Sequence, residues 1–283
     1  MNYRHAFHAG NFADVFKHAM LVRILLYLQR KDQPLRVIDI HGGIGRYDLA
    51  SDEAARTGEW REGIGRIISA EIPEAVAALL KPWLEIVGPG NAQGMPVSYP
   101  GSPALALALM RPQDRLAVSE LHPEDFHRLR RALGRDDRLR LAQMDGYAAL
   151  NAWTPPKERR GLVLIDPPFE SRSEFVSLLK ALDKAYRKWP TGCYAIWYPV
   201  KSVGVVEDFY AGLHDIGISR LLRLELAVDR AENDGPLAAN GLCVINPPFA
   251  LQAESEVLLP WLAATLARSR NAAWRADLHE PAS

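Results

Sequence analysis

The sequence predicts an α/β fold built on a mostly parallel sheet, with a small helical insertion. Three observations point to it. From residue 35 to residue 198, short apolar runs rich in Val, Ile and Leu alternate with amphipathic segments, which is the rhythm of strand–helix–strand units. The last two strand-like runs, 219–228 and 242–245, are joined instead by a polar, turn-rich connector, so they are expected to pair as an antiparallel hairpin. Between residues 48 and 100 the alternation gives way to helical patterns and a loop rich in Gly and Pro.

Taken in order, Asn11 with Asp14 three residues later resembles a helix N-terminus. Val15, Phe16, Ala19, Met20, Ile24, Leu25 and Leu28 continue it as a helical stripe. Residues 35–40 form a β-rich run that opens into the turn His41-Gly42-Gly43-Ile44-Gly45-Arg46-Tyr47. Two helices are expected at 59–70 and 73–87, and Ser102 and Pro103 start another that runs to Met110. Strands are expected at 116–121, 139–144, 162–165 and 193–198, with helices at 123–133, 146–153 and 174–188 between them. A parallel sheet ending in an antiparallel hairpin is the class I (Rossmann-like) S-adenosylmethionine-dependent methyltransferase fold, here expected with a seven-stranded sheet whose last strand is antiparallel. The expected division is a methyltransferase domain over 1–47 and 101–270, with an N-terminal cap and helix over 1–30. A helical insertion occupies 48–100 and a weakly structured tail 271–283.

The chain has 283 residues, 34 basic and 34 acidic, and 48% are hydrophobic, an ordinary globular composition. Its formal net charge of zero neither establishes nor excludes a nucleic-acid partner. Basic residues do cluster: Arg4, His5, His8 and Lys17; Arg128, Arg130, Arg131, Arg135, Arg138 and Arg140; Lys157, Arg159 and Arg160. Such clusters are as a rule solvated faces. No apolar run reaches the roughly 18–20 residues of a spanning helix, and no signal peptide is recognisable. Cys193 and Cys243 both sit in strand-like runs, which suits a reducing cytoplasm better than a disulfide framework.

The turn after the first strand is of the nucleotide-binding type, because glycines let backbone approach a ligand closely. Two later acids strengthen that reading. Glu120 ends the second strand of the parallel series, where a carboxylate accepts hydrogen bonds from ribose hydroxyls. Asp145 ends the next, placed to bond an adenine amine. Three successive strands closed by acidic residues are hard to explain by packing, and ligands of open α/β sheets bind at the carboxyl ends of the strands.

The following strand delivers Asp166-Pro167-Pro168-Phe169. An amine conjugated to a ring is a weak nucleophile. The Asp166 side chain and the Pro167 carbonyl can accept hydrogen bonds from it and draw it toward tetrahedral geometry, the two prolines fixing the backbone. Asp166 is then the natural proton acceptor, and Phe169 offers a stacking face for an extruded base. A second tetrapeptide, Asn246-Pro247-Pro248-Phe249, has the same form. It ends the strand expected to run antiparallel, so it should emerge at the opposite edge of the sheet and serve as a turn. The N-terminal histidines lack carboxylate or cysteine companions at ligand spacing, so no metal is expected. A cap over the active site is the better reading, with His18 near the cofactor and Tyr3 and Arg4 near base or phosphates.

Taken together, Tyr3-Arg-His-x-Phe-His-Ala-Gly-Asn11, Asp14-Val-x-Lys17-His18, His41-Gly-x-x-Gly-Arg-Tyr47, Tyr99-Pro-Gly-Ser102-Pro, Glu120-Leu-His-Pro and Asp166-Pro-Pro resemble the bacterial 23S ribosomal RNA adenine-N6 methyltransferases of the RlmJ family. The resemblance implies S-adenosyl-L-methionine as cofactor, held by His18, His41, Ser102, Glu120, Asp145 and Gly146, to which the reading of the turn and the motif adds Gly43 and Asp166. It also implies Asp166 as the proton acceptor, Tyr3 as a substrate contact and 23S rRNA as the substrate; with the reading of the residues, the expected catalytic set is Asp166, Pro167 and Phe169 and the expected RNA contacts are Tyr3, Arg4 and Phe169. Phe169 departs from the family, many relatives having Tyr, and Gly43 stands where relatives have Ala, a change without obvious cost. A monomer is expected. The alternatives are a DNA adenine-N6 methyltransferase, for which the insertion is small, a non-catalytic cofactor- or RNA-binding scaffold, and a glutamine N5-methyltransferase, whose Asn-Pro-Pro motif would sit on the wrong strand.

Overall fold

The computed structural model describes residues 4–91, 94–171, 173–232 and 235–280. A short 3-10 turn, His5–Phe7, leads into α1 (Phe12–Leu28). Asn11 caps that helix, its Oδ1 accepting the N–H groups of Ala13 and Asp14 at 3.0 Å. β1 (Arg36–Asp39) follows, and then β2 (Arg46–Asp48), α2 (Asp52–Thr57), α3 (Glu59–Glu62), α4 (Ile64–Ser69), α5 (Glu74–Val87) and β3 (Ser98–Pro100). β2 and β3 pair antiparallel and close the base of this excursion. The chain then runs through α6 (Ser102–Leu109), β4 (Arg115–Ser119), α7 (Pro123–Leu133), β5 (Leu139–Ala142), α8 (Gly146–Trp153), β6 (Gly161–Ile165), α9 (Glu174–Lys188) and β7 (Cys193–Pro199). It ends with α10 (Val203–Asp215), β8 (Leu221–Ala227), β9 (Ala239–Ile245), α11 (Leu251–Leu266) and β10 (Ala273–His279).

The main sheet has eight strands in the order β10-β8-β9-β7-β6-β1-β4-β5. β1 lies between β4 and β6, parallel to both, with Asp39 level with Val118 on one side and Leu164 on the other. β9 runs antiparallel to β7 and β8, as the polar connector implies. Side chains alternate across the sheet with period two. Leu35, Val37, Leu162 and Leu164 join the core beneath α1, α5, α6 and α11. Ile38, Ile40, Val163 and Ile165 join the core beneath α8, α9 and α10. Among the described residues, no helix is long and apolar enough to cross a membrane.

The structure corrects or extends the sequence reading at four places. The main sheet has eight strands rather than seven, because residues 273–279 of the expected loose tail form β10, paired antiparallel with β8 over seven residues. The helix expected at 59–70 breaks into α3 and α4 at Gly63, where a Cβ would lie 2.0 Å from the Gly10 carbonyl oxygen. That close approach lets the Ile64 N–H bond Gly10 O at 2.9 Å and ties the excursion to the N-terminal segment. Apolar residues of segment 48–100, Trp60, Ile64, Leu80 and Trp83 among them, join the same core as α1. Finally α2, α10 and α11 were not assigned from sequence. α10 opens with Val203-Gly204-Val205-Val206, a poor helical start, and α11 contains Pro260.

Candidate active site

β1, β4, β5 and β6 bring their carboxyl ends to one edge of the sheet, and a cavity of about 890 Å³ opens there, within the ~300–1,000 Å³ usual for small-molecule sites. His18, His41, Gly43, Ser102, Glu120, Asp145, Gly146, Asp166, Pro167 and Phe169, ten of the residues singled out from sequence, all line it. Arg4 does not; its guanidinium binds Glu124 at 3.1 Å and Asp125 at 2.9 Å, fastening the N-terminal segment to α7. Tyr3 lies outside the described residues.

On the cofactor side, the Glu120 carboxylate braces the turn: Oε2 accepts the Gly43 N–H at 2.9 Å and Oε1 the His122 N–H at 2.8 Å. Burial holds its pKa above the ordinary value. Asp145 caps α8 through the Ala148 N–H at 2.8 Å. Next to it, Gly146 is forced by close approach: a Cβ would meet the Ile40 carbonyl oxygen at 2.5 Å and His41 Nε2 at 2.7 Å. Gly43 has φ of +58°, and a Cβ there would fall 2.3 Å from the Tyr47 hydroxyl oxygen. An alanine in its place is therefore strained in this chain. Ser102 donates to Asp39 Oδ2 at 2.6 Å. Burial pushes the Asp39 carboxyl up to about 6, against the bonds from Ser102 and the His41 N–H.

On the chemistry side, Asp166 directly follows β6. Its N–H donates to His41 Nδ1 at 3.2 Å, so the glycine turn and the Asp-Pro-Pro motif touch directly. Burial pushes His41 down to about 4, so near neutral pH the ring is uncharged and Nδ1 is free to accept. Lys17 Nζ donates to Asp166 Oδ2 and lies 3.0 Å from Asp14 Oδ1. Burial would lower the Lys17 pKa, but the two carboxylates override it and hold the ammonium charged. Burial would likewise raise Asp14, but His5 and Lys17 hold it well below the ordinary carboxylate value. Phe169 has φ of +49°, a conformation that costs a non-glycine residue ~1–3 kcal/mol and that clusters at functional sites. Its ring packs against Phe175 at 4.7 Å and Trp197 at 5.9 Å.

Asn246-Pro247-Pro248-Phe249 ends β9 at the other edge of the sheet. Tyr194 near the start of β7 pairs with Ile245, and Asn246 Nδ2 donates to the carbonyls of Pro190 and Gly192 at 2.8 Å. In this tetrapeptide the strained residue is the first, Asn246 at φ +51°, whereas in the other it is the last. The two motifs share letters and not backbone shape.

Sequence reading missed Asp14 and Lys17 as members of the site, assigning one to a helix start and the other to a basic cluster. The signal was there: α1 is apolar on nearly every side, and a helix of that kind is buried all round. Asp14 and Lys17, spaced i and i+3, are only 1% and 5% exposed. Charges so placed must pair. Trp197 was missed too, since it looks like an ordinary strand residue; Asp39 was counted only as one of the acids that close successive strands.

The glycine cradle at residues 42, 43 and 146, the acids closing β4 and β5 and the size of the cavity fit an adenosine with its charged side chain. Fold and cavity define a class I S-adenosylmethionine-dependent methyltransferase. A family model described as "Ribosomal RNA large subunit methyltransferase D, RlmJ" matches residues 32–278. Two relatives named "Ribosomal RNA large subunit methyltransferase J" are similar over nearly their whole length. That of Haemophilus influenzae is 39% identical over 99% of both chains. That of Escherichia coli is 41% identical over 93% of this chain and 92% of the other. The crystal structure of a Legionella pneumophila protein superposes with a TM-score of 0.86 at 33% identity, covering 97% of this chain and 99% of that one. The chain belongs to the RlmJ family.

Proposed function

We propose that the protein methylates N6 of an adenine in 23S ribosomal RNA, in the bacterial cytoplasm. The observation that carries this reading is the contact between the glycine turn and the Asp-Pro-Pro motif through His41 and Asp166. That contact supports donor and acceptor sites lying side by side, as transfer between two bound groups requires.

S-adenosylmethionine supplies an electrophilic methyl group on a sulfonium. The chain supplies the rest. Phe169 stacks the target base, worth roughly 1–3 kcal/mol, against the few kcal/mol of extruding it. The Pro167 carbonyl and an Asp166 oxygen accept the two amine hydrogens and orient the nitrogen lone pair. Asp166 then takes the proton the nitrogen sheds. Lys17, bonded to Oδ2, keeps the carboxylate fixed, leaving Oδ1 for the amine. His41, neutral and bonded to the Asp166 N–H, holds the start of the motif in place.

Asp166→Ala tests this assignment. Cofactor binding measured by calorimetry should be retained within about threefold, while methyl transfer falls by at least ~10²-fold, the usual scale for a general base. Turnover near that of the unaltered protein would remove Asp166 from the mechanism.

A further inference from the structure

We propose that Lys201 receives the RNA backbone at the mouth of the cavity and so acts as a substrate-positioning residue. The inference rests on the reading above, that a nucleotide of RNA delivers its base to Asp166. Among the described residues, three cations with Lys or Arg side chains line the cavity: Lys17, Lys201 and Arg268. Lys17 is neutralised by Asp14 and Asp166. Arg268 is bound to Glu62 at 3.0 Å. Lys201 is exposed, and no carboxylate lies within 4 Å of it among the described residues.

Its position suits a phosphate. β7 lies next to β6 and parallel to it, with Ile196 level with Ile165. Trp197 is therefore level with Asp166, and the chain beyond it passes Pro199, another cavity residue, to reach Lys201. A base whose N6 edge meets Asp166 and whose face lies on Phe169 points its ribose away from the motif, toward the opening. The phosphates on either side of the extruded nucleotide must then cross the rim. A lysine bound to no carboxylate there gains a charge-assisted contact without first breaking an ion pair. With a net charge of zero over the whole chain, such local cations carry the attraction that a basic domain would spread over its surface.

Lys201→Ala, Lys201→Arg and Lys180→Ala, the last removing one exposed lysine from α9, are to be compared with the unaltered protein. The readouts are methyl-transfer kinetics on transcribed 23S rRNA and direct RNA binding at several KCl concentrations. For Lys201→Ala the KM for RNA should rise roughly 5- to 10-fold while kcat stays within about twofold. The slope of log affinity against log salt should lose about one unit. Lys201→Arg should restore both, and the cofactor Kd should not move. A KM and salt slope for Lys201→Ala no different from those of Lys180→Ala would overturn the assignment. Absence of transfer by the unaltered protein would overturn both it and the function it rests on.

Discussion

Around Asp166, ionisable groups are arranged so that each burial cost is answered by a neighbour or by loss of charge. Asp14, Lys17 and Asp166 offset one another, whereas His18 and His41 answer by staying neutral. Burial takes His18 down to about 3 and His41 to about 4, from 6.5 in each case. Because both pKa values are depressed, the unfolded chain binds more protons than the folded one between pH 6.5 and those values. Stability therefore falls as the solution is acidified through that window. Asp39 works the other way: raised from 3.8 to about 6, it keeps its proton longer in the folded state and favours folding over pH 4–6. Two histidines with wider windows outweigh it. The thermal midpoint should drop as pH goes from 7 to 5, and His18→Gln should make that decline shallower. A midpoint independent of pH, or equally steep in the variant, would refute the neutral-histidine assignment. Of these residues, Asp166, His18 and His41 were legible from motif and resemblance. The Lys17 ion pairs were not, since which strand end faces α1 is decided by packing far along the chain.

β10 shows how an element escapes sequence reading. Its seven residues, Ala-Trp-Arg-Ala-Asp-Leu-His, alternate only loosely, and most are exposed, so neither period nor apolar content announces a strand. What makes it one is the edge of β8. Leu222, Leu224 and Leu226 of β8 are fully buried, and Leu278, Ala276 and Trp274 pair opposite them. A chain ending at residue 271 would leave that edge unpaired, a template for association. It should melt at lower temperature and aggregate on heating, measured by calorimetry and light scattering. The same midpoint and a clear solution would show β10 to be dispensable. The central strands were readable because each is a compact apolar run flanked by turn formers. α10 was not, because its β-branched opening and its glycines oppose the helix that the sheet surface imposes.

For the whole molecule, one topological fact connects these scales. β1 is flanked by β4 and β6, so the glycine turn, Glu120 and Asp166 all arrive at one sheet edge, while the reversal of β9 carries Asn246 to the other. α1, together with the docked segment 48–100, closes over that edge and brings Lys17 to the carboxylate. The separation of the two tetrapeptides to opposite sheet edges was foreseeable from strand order and from the hairpin connector; the approach of Lys17 was not. The docking of segment 48–100 onto the core was not, since it depends on the contact of Gly63 with Gly10. The most direct measurement of the central claim uses S-adenosylmethionine carrying a labelled methyl group. The protein is incubated in turn with 23S rRNA, transfer RNA, duplex DNA and protein, followed by digestion and mass spectrometry of the nucleosides. Label recovered as N6-methyladenosine from 23S rRNA is the predicted result; label in DNA or protein with none in the ribosomal RNA would contradict the account.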